Sequence, residues 1–225
     1  MTSIALAALF FVGVHLLVAG TGARDRLVAL LGEQGYQGAF SLLALAGIVW
    51  LCVAWAGAPP AVPQWSGVSL RPVVWVLMLI AFAFVAIGLT TRSPTATGGE
   101  GSLEGDEPAR GILRITRHPF LWGVAIWSAC HAAVNPDLPS LVFFGSLLLL
   151  AVLGPRSIDA KRRRKHGERW DRFAAVTSNV PFAAIVGGRN RLAVREIGGW
   201  RVGLAVVLYV AFLGAHPLLF GASPV

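Results

Sequence analysis

Residues 114–135 read RITRHPFLWGVAIWSACHAAVN, and the fold follows from them. Two arginines three residues apart, Arg114 and Arg117, lead into His118-Pro119. An apolar run then continues to a second histidine, His131. Proline fits the first turn of a helix, where its missing N–H is no loss. The stretch therefore predicts a helix that starts among arginines at a membrane surface. At 1.5 Å per residue it carries His131 about 20 Å into the hydrocarbon. A histidine there is expensive and marks a functional site by default.

Outward from that stretch, the 225 residues are 56% hydrophobic and only 13% charged. Apolar runs recur at about 3–22, 37–57, 70–90, 118–134, 138–154 and 202–221. Each approaches a bilayer core of roughly 30 Å, and 118–134 is joined to 138–154 only by the turn Asn135-Pro136-Asp137. The fold class expected is all-α: a single polytopic membrane helix bundle over 1–225 with about six transmembrane helices. The first run lacks a basic leader and a cleavage site and reads as a retained span. A net charge of +8 would suggest nucleic acid in a soluble protein. Here the charge flanks apolar runs, so no nucleic-acid partner is expected. Eighteen of the nineteen Lys and Arg residues fall on one side of a six-span topology, with Arg71 the exception. The positive-inside rule then puts the basic loops in the cytoplasm and both termini outside, in a bacterial inner membrane.

Two connections stand out. Residues 92–109 are rich in Gly, Ser and Thr and carry Glu100, Glu104, Asp106 and Glu107; they read as a hinge, a lid edge or a plain linker. Residues 161–173, KRRRKHGERWDRF, read as a cytoplasmic basic amphipathic segment drawn to anionic headgroups, with Trp170 and Phe173 dipping into the interface. A solvated basic loop is the plainer reading of the same run. Cys52 and Cys130 lie within spans, where a structural disulfide is not expected.

Three histidines fall inside apolar spans: His15, His131 and His216. Hydrogen bonding across helices would explain any one of them. Three together, with no acidic partner in the spans, point to metal or haem. Two neutral imidazoles on facing helices suit a b-type haem. The absence of C-x-x-C-H makes such a haem non-covalent. Depth allows either His15 with His131, given helix tilt, or His131 with His216. Ser128 and Asn135 lie one turn either side of His131; Trp122 and Trp127 read as packing or interface residues.

The combined pattern resembles the NnrU family, which includes the plant and algal 15-cis-ζ-carotene isomerases. It comprises His15 with Gly22-Ala23-Arg24-Asp25, the run from Arg114 to His131, TSNVPFAAIVGGR at 177–189 and AHPLL at 215–219. The resemblance implies a non-covalent haem b held by two histidines, which fall on His15 and His131. It implies redox-gated cis–trans isomerisation of a carotenoid-like polyene, with a poly-cis carotene as the type of substrate and an unidentified redox partner. His216, His118 and Arg117 would shape the haem pocket or its mouth. A cysteine near the second ligand of the plant enzymes falls on Ser128. Bacterial members are named for an association with nitrite and nitric oxide reduction, which gives a haem protein of denitrification as an alternative. A more distant resemblance, to isoprenylcysteine-type membrane methyltransferases, rests on Arg117, His118, Pro119, Gly123, Glu168, Trp170, Phe173 and Pro181. It implies S-adenosylmethionine at the cytoplasmic face and leaves the intramembrane histidines unexplained.

Overall fold

The structure, a computed structural model, describes residues 1–96, 98–105 and 107–224. Among the described residues every element is helical: α1 (Thr2–Gly13), α2 (Ala23–Ala56), α3 (Arg71–Thr90), α4 (Ile112–Ile115), α5 (Pro119–Val134), α6 (Leu138–His166), α7 (Glu168–Val176), α8 (Ala183–Val186) and α9 (Gly199–Phe220). Four helices are long and apolar enough to cross a membrane: Ala23–Ala56, Val68–Thr90, Leu138–His166 and Gly199–Phe220. They leave most of their apolar surface uncovered, as in the exposed Leu42, Val53, Val76 and Val207. Apolar helices with bare apolar faces belong in lipid. The other two expected spans form shorter apolar helices, Thr2–Val18 and Pro119–Val134.

The chain divides into two compact units. The first comprises Met1–Leu70 and Ser128–Ser157. In it α1 runs antiparallel to α2: Trp50 Nε1 donates to Ser3 Oγ at 3.3 Å, and the His15 ring lies 5.3 Å from Phe40. Gly47 admits the close approach, since a Cβ there would sit 3.2 Å from the rings of Phe10 and Phe11. Within α2, Gly32 adopts φ +73° and ψ 164°, a break that sets off a short arm beginning at Ala23 from the apolar helix. Arg24 reaches across the break to Glu33 at 2.6 Å. Helix α6 is capped by Asp137, whose Oδ1 accepts from the Ser140 amide at 2.9 Å. Trp55 stacks 4.9 Å from Phe143 and donates to Ser140 Oγ at 3.1 Å. Trp65 donates to the Ala133 carbonyl at 2.9 Å.

The second unit comprises Arg71–Trp127 and Ile158–Val225. Helices α3 and α9 lie antiparallel, with Phe82 between Tyr209 and Phe212. Trp75 donates to the Pro224 carbonyl at one end, and Arg201 to the Thr90 carbonyl at the other. Gly123 brings α5 onto α3, where a Cβ would meet Val85 Cγ2 at 2.6 Å and the Ala81 carbonyl oxygen at 2.9 Å.

The basic run differs from its expected form. Gly167 (φ +51°) breaks it, ending α6 at His166 and starting α7 at Glu168. Trp170 and Phe173 do not dip towards lipid; they are fully buried with Ile87, Leu103, Ala109, Ile112 and Leu113. The reason is that the connection 92–109 folds over them. Its single turn Glu100–Glu104 inserts Leu103 into the cluster. Glu100 pairs with Arg162, and Glu104 with Arg169 at 3.4 Å. Asp106 lies outside the described residues.

Candidate functional site

The arginines of RITRHP are held by acids. Arg114, 4% exposed, donates through Nε and Nη2 to both carboxylate oxygens of Glu196, at 2.8 Å each. Its remaining donors reach Glu107 at 2.6 Å and Asn190 at 2.8 Å. The Arg114 guanidinium, helped by the Gly111 amide at 2.9 Å, holds the Glu196 carboxyl down to about 2. Arg117 and His118 share one carboxylate. Arg117 donates to Asp159 Oδ2 at 2.5 and 2.9 Å, and His118 Nε2 donates to Asp159 Oδ1 at 2.7 Å. His118 is 2% exposed. Thr116 donates to the Asn179 carbonyl at 2.5 Å and accepts from the His118 amide at 3.2 Å. Sequence reasoning missed Asp159, Glu196 and Asn190. Asp159 carried a signal, as the lone acid between an apolar stretch and the basic run.

His15 sits in a π-helical turn, Val14–Val18, marked by the Ala19 amide bonding to the Val14 carbonyl at 3.1 Å. Such turns cluster at functional positions. Its Nδ1 lies 2.8 Å from the Phe11 carbonyl oxygen. A carbonyl can only accept, so Nδ1 carries the proton and Nε2 presents its lone pair. Phe11 packs 4.6 Å from the imidazole on one side, and Phe40 stands edge-on at 5.3 Å. Tyr36 stacks on Phe40 at 6.0 Å, and its buried hydroxyl has no partner. His131 packs its ring 5.0 Å from Phe144. One turn earlier Ser128 is fully buried, also with an unpartnered hydroxyl. His15 and His131 belong to the first unit; His216, His118 and Arg117 belong to the second. His216 donates through Nδ1 to the Ala222 carbonyl at 2.7 Å. Among the described residues no group of three or more His, Cys, Asp or Glu suits a metal ion. A haem would need only two imidazoles from the protein.

The profile of the family described as NnrU protein matches residues 3–224. The chain belongs to the NnrU family. It is 27% identical over 164 residues to the chloroplastic 15-cis-zeta-carotene isomerase of Arabidopsis thaliana, a match covering 71% of this chain and 44% of that protein. It is 29% identical over 116 residues to the chloroplastic 15-cis-zeta-carotene isomerase of Zea mays, covering 50% of this chain and 32% of that one. The chain thus spans less than half the length of either relative. No solved structure matches it.

In this NnrU chain the residues around His15 fit a haem by their chemistry. One imidazole nitrogen is anchored to main chain, which fixes the tautomer a metal ligand needs. The other is free of that bond, on a ring that packs against Phe11 and Phe40. Tyr36, stacked on Phe40, adds a buried hydroxyl that has no partner among the described residues.

Proposed function

We propose that this chain is an integral membrane haem b protein that isomerises a cis double bond of a carotenoid-like polyene, with His15 and His131 as the residues that would hold the haem. The observation that carries the reading is His15: a π-helical turn, an Nδ1 bond to main chain and an Nε2 lone pair among aromatic rings. Side chains on a helix lean towards its N-terminus. The Nδ1 bond, one turn back, displays that lean for His15. α1 begins at the end of the first unit where α2 finishes, and the last turn of α5 is tied to that same end through Trp65. His15 lies roughly 20 Å from that end and His131 within about one turn of it. The lean would carry His15 towards that end and His131 away from it, which favours their pairing. Bound haem would supply an iron whose oxidation state governs its hold on a ligand and on a conjugated double bond, without net oxidation of the polyene. The chain's own part is to orient the imidazoles and to offer an apolar, water-excluding surround that a hydrophobic substrate can enter from lipid.

We further infer six crossings, with both termini outside a bacterial inner membrane and the basic loops in the cytoplasm. Four crossings, by the long helices alone, would put residues 92–117 and 167–198 on opposite sides. Within the second unit these segments are bonded together through Arg114–Glu196 and Arg169–Glu104. That supports a crossing by α5 as well, and the antiparallel pairing of α1 with α2 supports the sixth.

The test is an absorption spectrum of the detergent-purified protein, oxidised and dithionite-reduced. A six-coordinate b-type spectrum is expected, lost in His15→Ala and His131→Ala and kept in His166→Ala. Equal haem content in all three variants overturns the ligand assignment, and His216→Ala then tests the other pair. Haem-loaded protein that leaves a poly-cis carotene unchanged would overturn the isomerase reading and favour a role in nitrogen-oxide reduction. A colourless protein that binds S-adenosylmethionine would overturn both.

A further inference from the structure

The second unit contains an open cleft of about 870 Å³, lined by Arg117, Arg163 and Arg189 and by the polar turn Thr177, Ser178 and Asn179. Its charge is not balanced. Arg117 is matched by Asp159, and Arg163 by Asp171 at 2.7 Å. Arg189 donates through Nη1 to the main-chain carbonyls of Ala175 and Thr177, at 2.8 and 3.0 Å, and pairs with no acid among the described residues. The Arg163–Asp171 pair is more than half exposed on both sides, so a competing anion can displace it at small loss.

Val180 and Ala183 line the cleft, and the same short segment carries Phe182 and Val186. Val180, Phe182 and Val186 are exposed, Val186 by 86%. Phe182 holds a left-handed backbone (φ +65°), unusual for a bulky residue. This turn packs on the start of α5, which the six-crossing reading proposed above makes a point of entry into the bilayer. The Arg117 amide bonds to the Ser178 carbonyl at 2.9 Å, and the Phe182 amide to the Ile115 carbonyl at 2.8 Å. Trp122, in the first turn of α5, donates to the Asn179 carbonyl at 2.8 Å.

We propose that this cleft binds the phosphate of an anionic phospholipid, with Val180, Phe182 and Val186 inserted among the acyl chains beside it. Surplus cationic charge over bare apolar side chains at an apolar helix entry matches a lipid that is anionic at one end and hydrocarbon at the other. The headgroup contact expected of Trp170 and Phe173 thus passes to the segment after them. The proposal needs no haem.

The full chain in neutral detergent, titrated with phosphatidylglycerol and with phosphatidylcholine under native mass spectrometry, tests it. Wild type should retain phosphatidylglycerol preferentially, and less so as salt rises. Arg189→Gln should weaken that binding about fivefold. Val186→Ser should weaken it about threefold with an unchanged melting temperature. If Arg189→Gln fails to fold, Arg163→Gln, whose side chain is exposed, takes its place beside Val186→Ser. Equal binding of the two lipids by wild type, or phosphatidylglycerol binding unaltered in the folded variants, overturns the site. Displacement of the lipid by inorganic phosphate at equal concentration would assign the cleft to free phosphate and overturn the membrane part.

Discussion

Glu196 shows what a single acid does for the second unit. It neutralises a guanidinium that is almost wholly buried and bonds the Gly111 amide, at a glycine whose φ of +57° suits no other residue well. Its carboxyl is depressed from 4.5 to about 2 in the folded chain, so between those values the unfolded chain binds more protons. The pair's contribution is therefore complete above about pH 4.5 and is lost as pH falls towards 2. Thermal unfolding in detergent from pH 7 to pH 3 should show a melting temperature that drops below pH 4.5. Glu196→Gln should remove much of that drop and cost about 2 kcal/mol at neutral pH, the scale of hydrogen bonds to a charged group. A variant with unchanged pH dependence would show that other acids govern it. None of this was legible beforehand. Arg114 was visible as a basic residue before an apolar run, but its partner lies 82 residues away in a stretch without hydropathy signal. His15 was legible as a candidate, because a histidine in an apolar run stands out by composition alone. Its tautomer was not, since that depends on a π-helical turn.

At the scale of elements, hydropathy located four of the six apolar helices within about four residues, but α2 begins at Ala23 rather than 37 and α6 runs on to His166 rather than 154, because their polar extensions carry no lipid signal. It misjudged α7. Periodicity gives a helix a polar and an apolar face without saying what covers the apolar one, and here Leu103 from the preceding connection does. Close helix approach was equally hidden, since a glycine in an apolar run does not announce its neighbour. Gly123→Ala separates packing from propensity. The added Cβ would press on the Ala81 carbonyl oxygen, which cannot rotate away. Overpacking of this kind costs about 1–3 kcal/mol. Gly145→Ala, in α6 with nothing within 4 Å of its Cβ position, should instead raise stability by about 0.5–1 kcal/mol. Melting temperatures of opposite sign in the two variants are expected. A shift of the same sign in both would mean that helix propensity, not contact, dominates.

At the scale of the whole molecule, the two apolar helices too short to be obvious spans, Thr2–Val18 and Pro119–Val134, are those that carry His15 and His131. Seventeen and sixteen residues reach about 24–26 Å, short of a 30 Å core, so as spans each would end just within the hydrocarbon or thin the bilayer around it. A helix ending inside the apolar layer must satisfy its terminal carbonyls within the protein. α5 does so in part: its Ala133 carbonyl accepts from Trp65, and its His131 carbonyl from the Asn135 side chain at 2.9 Å. Whether these helices cross decides where everything else lies. In a background with Cys52 and Cys130 replaced by alanine, the variants Glu104→Cys, Arg164→Cys, Asn135→Cys and Ala61→Cys report the side of each loop to a membrane-impermeant maleimide. Six crossings predict that Glu104→Cys and Arg164→Cys react only after the inner membrane is opened, while Asn135→Cys and Ala61→Cys react in intact cells. Four crossings would put Glu104→Cys with Asn135→Cys and oppose both to Arg164→Cys. That pattern would break the Arg162–Glu100 pair along with the topology, because a salt bridge cannot form across a bilayer.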